Sequence, residues 1–99
     1  MSEQIFTPAI HYQDPKAALA WLEKAFGFDI TMAIEGPPDE PTMCHYEMSC
    51  GGRGRIMVGG EWSDAIRSPA RLDGTNTQAV HVQLADGLDE HCERARAAG

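Results

Sequence analysis

The chain writes one short pattern twice. Thr7-Pro8-Ala9-Ile10-His11-Tyr12-Gln13 and Thr77-Gln78-Ala79-Val80-His81-Val82-Gln83 both read T-x-A-[IV]-H-[YV]-Q, and an aspartate and a helical pattern follow each copy. A repeated strand-to-helix opening narrows the architecture sharply, because each copy has an amphipathic helix that needs a sheet to cover.

In the first copy, Ile5 to Tyr12 predicts a strand with Ile10 and Tyr12 on one face and Thr7, Ala9 and His11 on the other. Asp14 is placed as an N-cap with Pro15 at the first helical position. Ala18, Trp21, Leu22, Ala25 and Phe26 then recur at helical spacing as one apolar stripe, and Gly27 supplies a left-handed stop. In the second copy, Asp86 is the expected N-cap, Leu88, Cys92 and Ala95 form the stripe, and Gly99 ends it.

Three more strands are predicted between the copies. Phe28 to Ile34 closes on the breaker run Gly36-Pro37-Pro38-Asp39-Glu40-Pro41. Thr42 to Cys50 alternates, with Cys44, Tyr46 and Met48 on one face and Met43, His45 and Glu47 on the other. Gly51 to Gly54 reads as a hairpin turn, and Arg55 to Gly60 returns with Ile56 and Val58 on its apolar face. The expected class is α+β. Residues 1–60 form a βαβββ module, 61–76 an irregular connection, and 77–99 the strand and helix that start a second such module.

Composition removes several classes of function. Eight basic against fifteen acidic side chains give a formal charge of −7, with no basic patch, so neither nucleic acid nor an anionic membrane is the expected partner. The start Met-Ser-Glu-Gln lacks a secretory pattern and no apolar run approaches a spanning length, which makes a cytoplasmic address the expectation. Cys44, Cys50 and Cys92 have no C-x-x-C spacing and read as small reduced hydrophobes.

The opening TPAIHYQDPKAALAWLEKAFGFDI and the later VHVQLADGLDEHCERARAAG resemble the vicinal oxygen chelate superfamily, which holds glyoxalase I, bleomycin-resistance proteins and extradiol dioxygenases. The resemblance spans most of the chain except residues 61–74. It implies two paired βαβββ modules curled around a cleft, so this chain would be a truncated form, or one that needs a second chain to close its cleft. A homodimer and a small-molecule partner are the corresponding expectations. The implied activity is that of a glyoxalase-like or bleomycin-resistance-like protein. It would be either a metal-dependent lyase, isomerase or dioxygenase, or a non-catalytic protein that sequesters a drug or metabolite.

A divalent metal is the cofactor such a resemblance implies. Carried over strand by strand, the family's ligand positions fall at Thr7, Thr77 and near Met57, and threonine and methionine are poor ligands for these cations. The alternative ligand set is His11, His45, Glu47 and His81, all on strand faces opposite the apolar ones. The same residues could equally line a wet cleft or a dimer surface without metal. His11 and His81 hold equivalent repeat positions and are expected near one another across a pseudo-twofold axis. Met57 and Trp62 complete the cleft candidates, as apolar groups that could instead be core. Gly51 to Gly54 lacks the spacing and the following helix of a phosphate loop.

Overall fold

A computed structural model describes residues 4–99. Its elements are β1 (Ala9–Tyr12), α1 (Pro15–Phe26), β2 (Asp29–Ile34), β3 (His45–Cys50), β4 (Arg53–Gly60), a 3-10 turn (Pro69–Arg71) and α2 (Leu88–Ala98). The four strands form one mixed sheet in the order β1-β4-β3-β2. β1 runs parallel to β4, while β2–β3 and β3–β4 are antiparallel. α1 therefore carries the chain from one edge strand to the other, and a meander brings it back. This is a βαβββ module.

α1 forms where its local signals put it. Asp14 Oδ1 accepts from the Ala17 N–H at 3.1 Å, and Gly27 ends the helix at φ 72° with its N–H returned to Glu23 C=O. The apolar surface of α1 is split between two neighbours. Leu19 and Leu22, with Ala18 and Ala25, are buried, and the two leucines join the cluster of Phe28, Tyr46, Met48, Ile56 and Val58. Full burial of each such leucine contributes about 1.5–3 kcal/mol. Trp21 and Phe26 lie further round the helix and meet α2. Trp21 Nε1 donates to Gly99 C=O at 2.9 Å, and Phe26 stacks on His91 with ring centroids 5.6 Å apart. Leu19, absent from the expected stripe, is a core residue because the sheet needs a face slightly rotated from the one α2 uses.

The strand alternations of β3 and β4 hold. Tyr46, Met48, Ile56 and Val58 are buried towards α1, and their neighbours His45, Glu47 and Met57 face the other way. Strand ends differ from expectation. The first strand begins at Ala9, with Ile5 and Phe6 exposed; β3 begins at His45 instead of Thr42; and β4 extends back to Arg53.

The principal correction concerns the second copy of the repeat. Residues 77–83 form no strand; they run without ladder partners and with exposed side chains. Asp86 is not the cap of α2. Gly87 is, at φ 71° and with no side-chain cap. The physical difference between the copies lies in their surroundings. β1 has β4 at its side and α1 over its apolar face, whereas α2 docks on α1 and leaves the preceding segment beside no strand. Its backbone groups are solvated, which is what an unpaired extended segment requires. The radius of gyration, 14.2 Å, exceeds the roughly 13 Å of a close-packed chain this long, in keeping with this open arm.

Candidate functional site

The sheet has two unlike faces. Register places Ala9, Met57, Glu47 and Met32 opposite one another as a row across all four strands, on the side away from α1. Ile34 is paired with His45 on the same side, and His11 with Gly59. This open face is lined by thioether and aliphatic groups, the imidazoles of His11 and His45, the Glu47 carboxylate and the Arg55 guanidinium.

Glu47 is the best-held polar group there. His45 Nε2 lies 2.7 Å from Glu47 Oε2, and Arg55 Nε lies 3.7 Å from Glu47 Oε1. A carboxylate only accepts, so the His45 proton facing it is on Nε2. Glu47 is mostly shielded, at 15% side-chain exposure, and has a cation or a ring N–H at each oxygen. Alternation makes this pairing possible, since residues two apart on a strand share a face.

His11 is held differently. Its Nδ1 is 3.2 Å from Gly60 C=O; a carbonyl only accepts, so Nδ1 carries the proton in that bond and Nε2 is the ring nitrogen left for a ligand. The ring rests on Gly59, where a Cβ would lie 3.5 Å from Nδ1. The same Gly60 carbonyl accepts the Trp62 N–H at 3.0 Å. His11 and the backbone of Trp62 thus meet at one oxygen, and the Trp62 side chain is 52% exposed.

Of the expected cleft residues, His11, His45, Glu47 and Met57 share the open face, with Trp62 just past its edge. His81 does not join them. It lines a hollow on the helix side with Phe28, Met48 and Ile56, so the expected proximity of His11 and His81 is not found. The reason is the one that unpaired its strand: the second copy does not lie beside the first. Among the described residues no three His, Cys, Asp or Glu side chains converge as a metal-holding group, and the set His11, His45, Glu47 and His81 is not assembled. Thr7 remains near β1, Thr77 lies in the exposed arm, and Met57 is in the central row.

Sequence reasoning missed Arg55, Met32 and Ile34 on this face, and Gly59 as the space for His11. Only the first three carried a signal, their alternation, and that signal is silent without the register. A further polar cluster lies at the start of α1. The Tyr46 hydroxyl donates to Glu35 Oε2 at 2.9 Å, and Lys16 Nζ is 3.1 Å from the same oxygen. Burial and the adjacent Glu35 push the Tyr46 phenol well above its ordinary range, and the bonds from Tyr46 and Lys16 hold the Glu35 carboxyl below its own.

No family model and no curated protein sequence matches the chain. A solved structure does: TioX from Micromonospora sp. ML1, at 24% identity and a TM-score of 0.54, over 98% of this chain and 73% of that one. The four-strand mixed sheet and two helices are consistent with a truncated glyoxalase/bleomycin-resistance-like module. That likeness concerns the fold alone and says nothing about which ligand the open face takes. Among the described residues no helix is long and apolar enough to cross a membrane.

Proposed function

We propose that this is a glyoxalase-like or bleomycin-resistance-like cleft protein whose open sheet face sequesters a small molecule carrying a positive charge on an apolar frame. The observation that carries the reading is the row Met32–Glu47–Met57, a shielded carboxylate between two thioethers. Methionine adapts to irregular apolar shapes, and the pre-positioned Glu47 carboxylate would select a cation by exchanging its long 3.7 Å contact with the half-exposed Arg55 for the ligand. The formal charge of −7 draws cationic ligands towards the surface. Trp62 at the edge offers a ring for stacking on a cation. A second copy facing the sheet would close the cleft, so the working state in this reading is a cytoplasmic homodimer.

An enzymatic reading is favoured by one observation, the free Nε2 of His11. With Nδ1 committed to Gly60 C=O, that nitrogen can take a proton from a bound substrate. A divalent ion supporting such a reaction would need ligands beyond the His45–Glu47 pair.

Tryptophan fluorescence tests the first reading. With Trp21→Phe, Trp62 is the sole reporter. Bleomycin, as a cationic probe, should quench it saturably, and Glu47→Gln should weaken binding about tenfold, the cost of one close charge pair. Quenching that is indifferent to Glu47→Gln would sink the proposal. Stoichiometric zinc, nickel, manganese or iron in the purified protein, lost on His11→Ala, would favour the enzyme instead.

A further inference from the structure

We propose that the hollow on the helix side of the sheet is a separate small-molecule site, and that it takes an amphipathic organic anion such as a medium-chain carboxylate. The hollow, about 620 Å³, opens between the β3–β4 hairpin and the arm of residues 80–85. Its buried lining is mostly apolar, contributed by Phe28, Met48 and Ile56, with Ser49 as the one buried polar residue among them. Val80 and Val82 form part of the facing wall, each 42% exposed although both are β-branched and apolar. An aliphatic chain in the hollow would cover both valines, and the volume lies within the roughly 300–1,000 Å³ typical of small-molecule pockets.

The charge of the ligand follows from the polar lining. Arg55, Arg71 and Arg94 are each engaged, with Glu47, Glu61 and the carbonyls of Glu23 and Lys24 respectively. Arg53 lines the hollow and, among the described residues, has neither a carboxylate nor a hydrogen-bond partner in the structure. His81 and Gln83 line the same hollow from the arm and add donors. No Asp or Glu lines it, in a chain with fifteen of them. A guanidinium free to make a bidentate bond beside an apolar wall suits a carboxylate head with a hydrocarbon tail.

This site does not rest on the reading of the open face. Met48 is paired with Ile56 and Glu47 with Met57, and adjacent strand residues point to opposite sides, so the apolar floor of the hollow and the Met32–Glu47–Met57 row lie on opposite faces of the sheet; Arg55, which lines the hollow and pairs with Glu47, is the one residue common to both. The arm also gains a role, since binding would order residues that no ladder holds.

Titration calorimetry of the whole chain with decanoate, and with decyltrimethylammonium as the charge-reversed control, tests the proposal. Saturable one-to-one decanoate binding is expected, with the ammonium compound about tenfold weaker or more. Arg53→Glu should cost decanoate at least about tenfold by reversing the head-group charge. Val82→Trp should fill the hollow and abolish binding with an unaltered circular dichroism spectrum. Equal uptake of both amphiphiles, uptake without saturation, or full affinity in Val82→Trp would each overturn the assignment.

Discussion

Arg94 of α2 closes the C-terminal end of α1 on Lys24: its Nε donates to Lys24 C=O at 2.9 Å, while Nη2 reaches Glu23 C=O at 3.1 Å. Those carbonyls belong to the last turn of α1, where helical partners run out and a cation is favoured by the helix dipole. Arg94 also lies over Gly27, where a Cβ would come within 3.0 Å of its guanidinium. One side chain therefore joins the module to the helix that follows it. Arg94→Ala should lower stability by about 1–2 kcal/mol in urea denaturation, and Arg94→Lys should recover only part, because a lysine cannot span both carbonyls with a fixed fork. A stability equal to that of the parent would show that α2 is held by its aromatic contacts alone.

Tyr46 and Glu35 give opposite pH signatures. The folded-state pKa of Tyr46 is raised, by burial first and by Glu35 second, so its stabilisation is present below about 10 and is lost as pH climbs past the unfolded value. The Glu35 carboxyl is depressed, by Tyr46 first and Lys16 second, so its contribution is present above the unfolded value and fades as pH falls through the folded one. Tyr12 is raised by burial as well. Absorbance titration should therefore show no tyrosine ionising at its ordinary pH in the native chain, and both ionising near about 10 in concentrated urea. A native-state phenol that titrates at the free value would contradict the packing of Tyr46.

Gly36 sits where backbone crowds it. A Cβ there would lie 2.6 Å from Glu40 C=O and 2.8 Å from Pro41 C=O, and neither can swing aside as a side-chain tip could. Gly36→Ala should destabilise by about 1–3 kcal/mol, the usual cost of overpacking, and should loosen the link between β2 and β3. Differential scanning calorimetry measures it; an unchanged melting temperature would mean that the loop has another conformation.

The arm should behave unlike the strand it resembles. Amides of residues 78–84 are expected to exchange with solvent within the dead time of a hydrogen-exchange experiment, whereas those of Ile56 and Val58 in the central strand β4 should be protected. Val80→Pro should accordingly leave stability within about 0.5 kcal/mol, while Val58→Pro should prevent folding. Protection across 78–84 at dilute concentration would mean that the arm has found a ladder.

What the sequence determined on its own was mostly helical and alternating. Asp14, Pro15, the apolar spacing and Gly27 placed α1 to the residue, because a helix satisfies its backbone within itself and its signals are local. The period of two through His45–Met48 and Arg55–Val58 likewise separated the core face from the open one, which put His45, Glu47 and Met57 together. Tertiary structure alone decided the rest. Nearly the same letters make β1 at 9–12 and an unpaired arm at 77–83, since a strand completes its hydrogen bonds on a neighbour that its own sequence does not encode. The tautomer of His11 depends on a carbonyl of β4, and the division of α1 between Leu19 and Trp21 depends on two partners approaching from different sides. Spacing along the chain carries no record of those distances, which is why His81 could be matched to His11 by pattern and yet lie on the other side of the sheet.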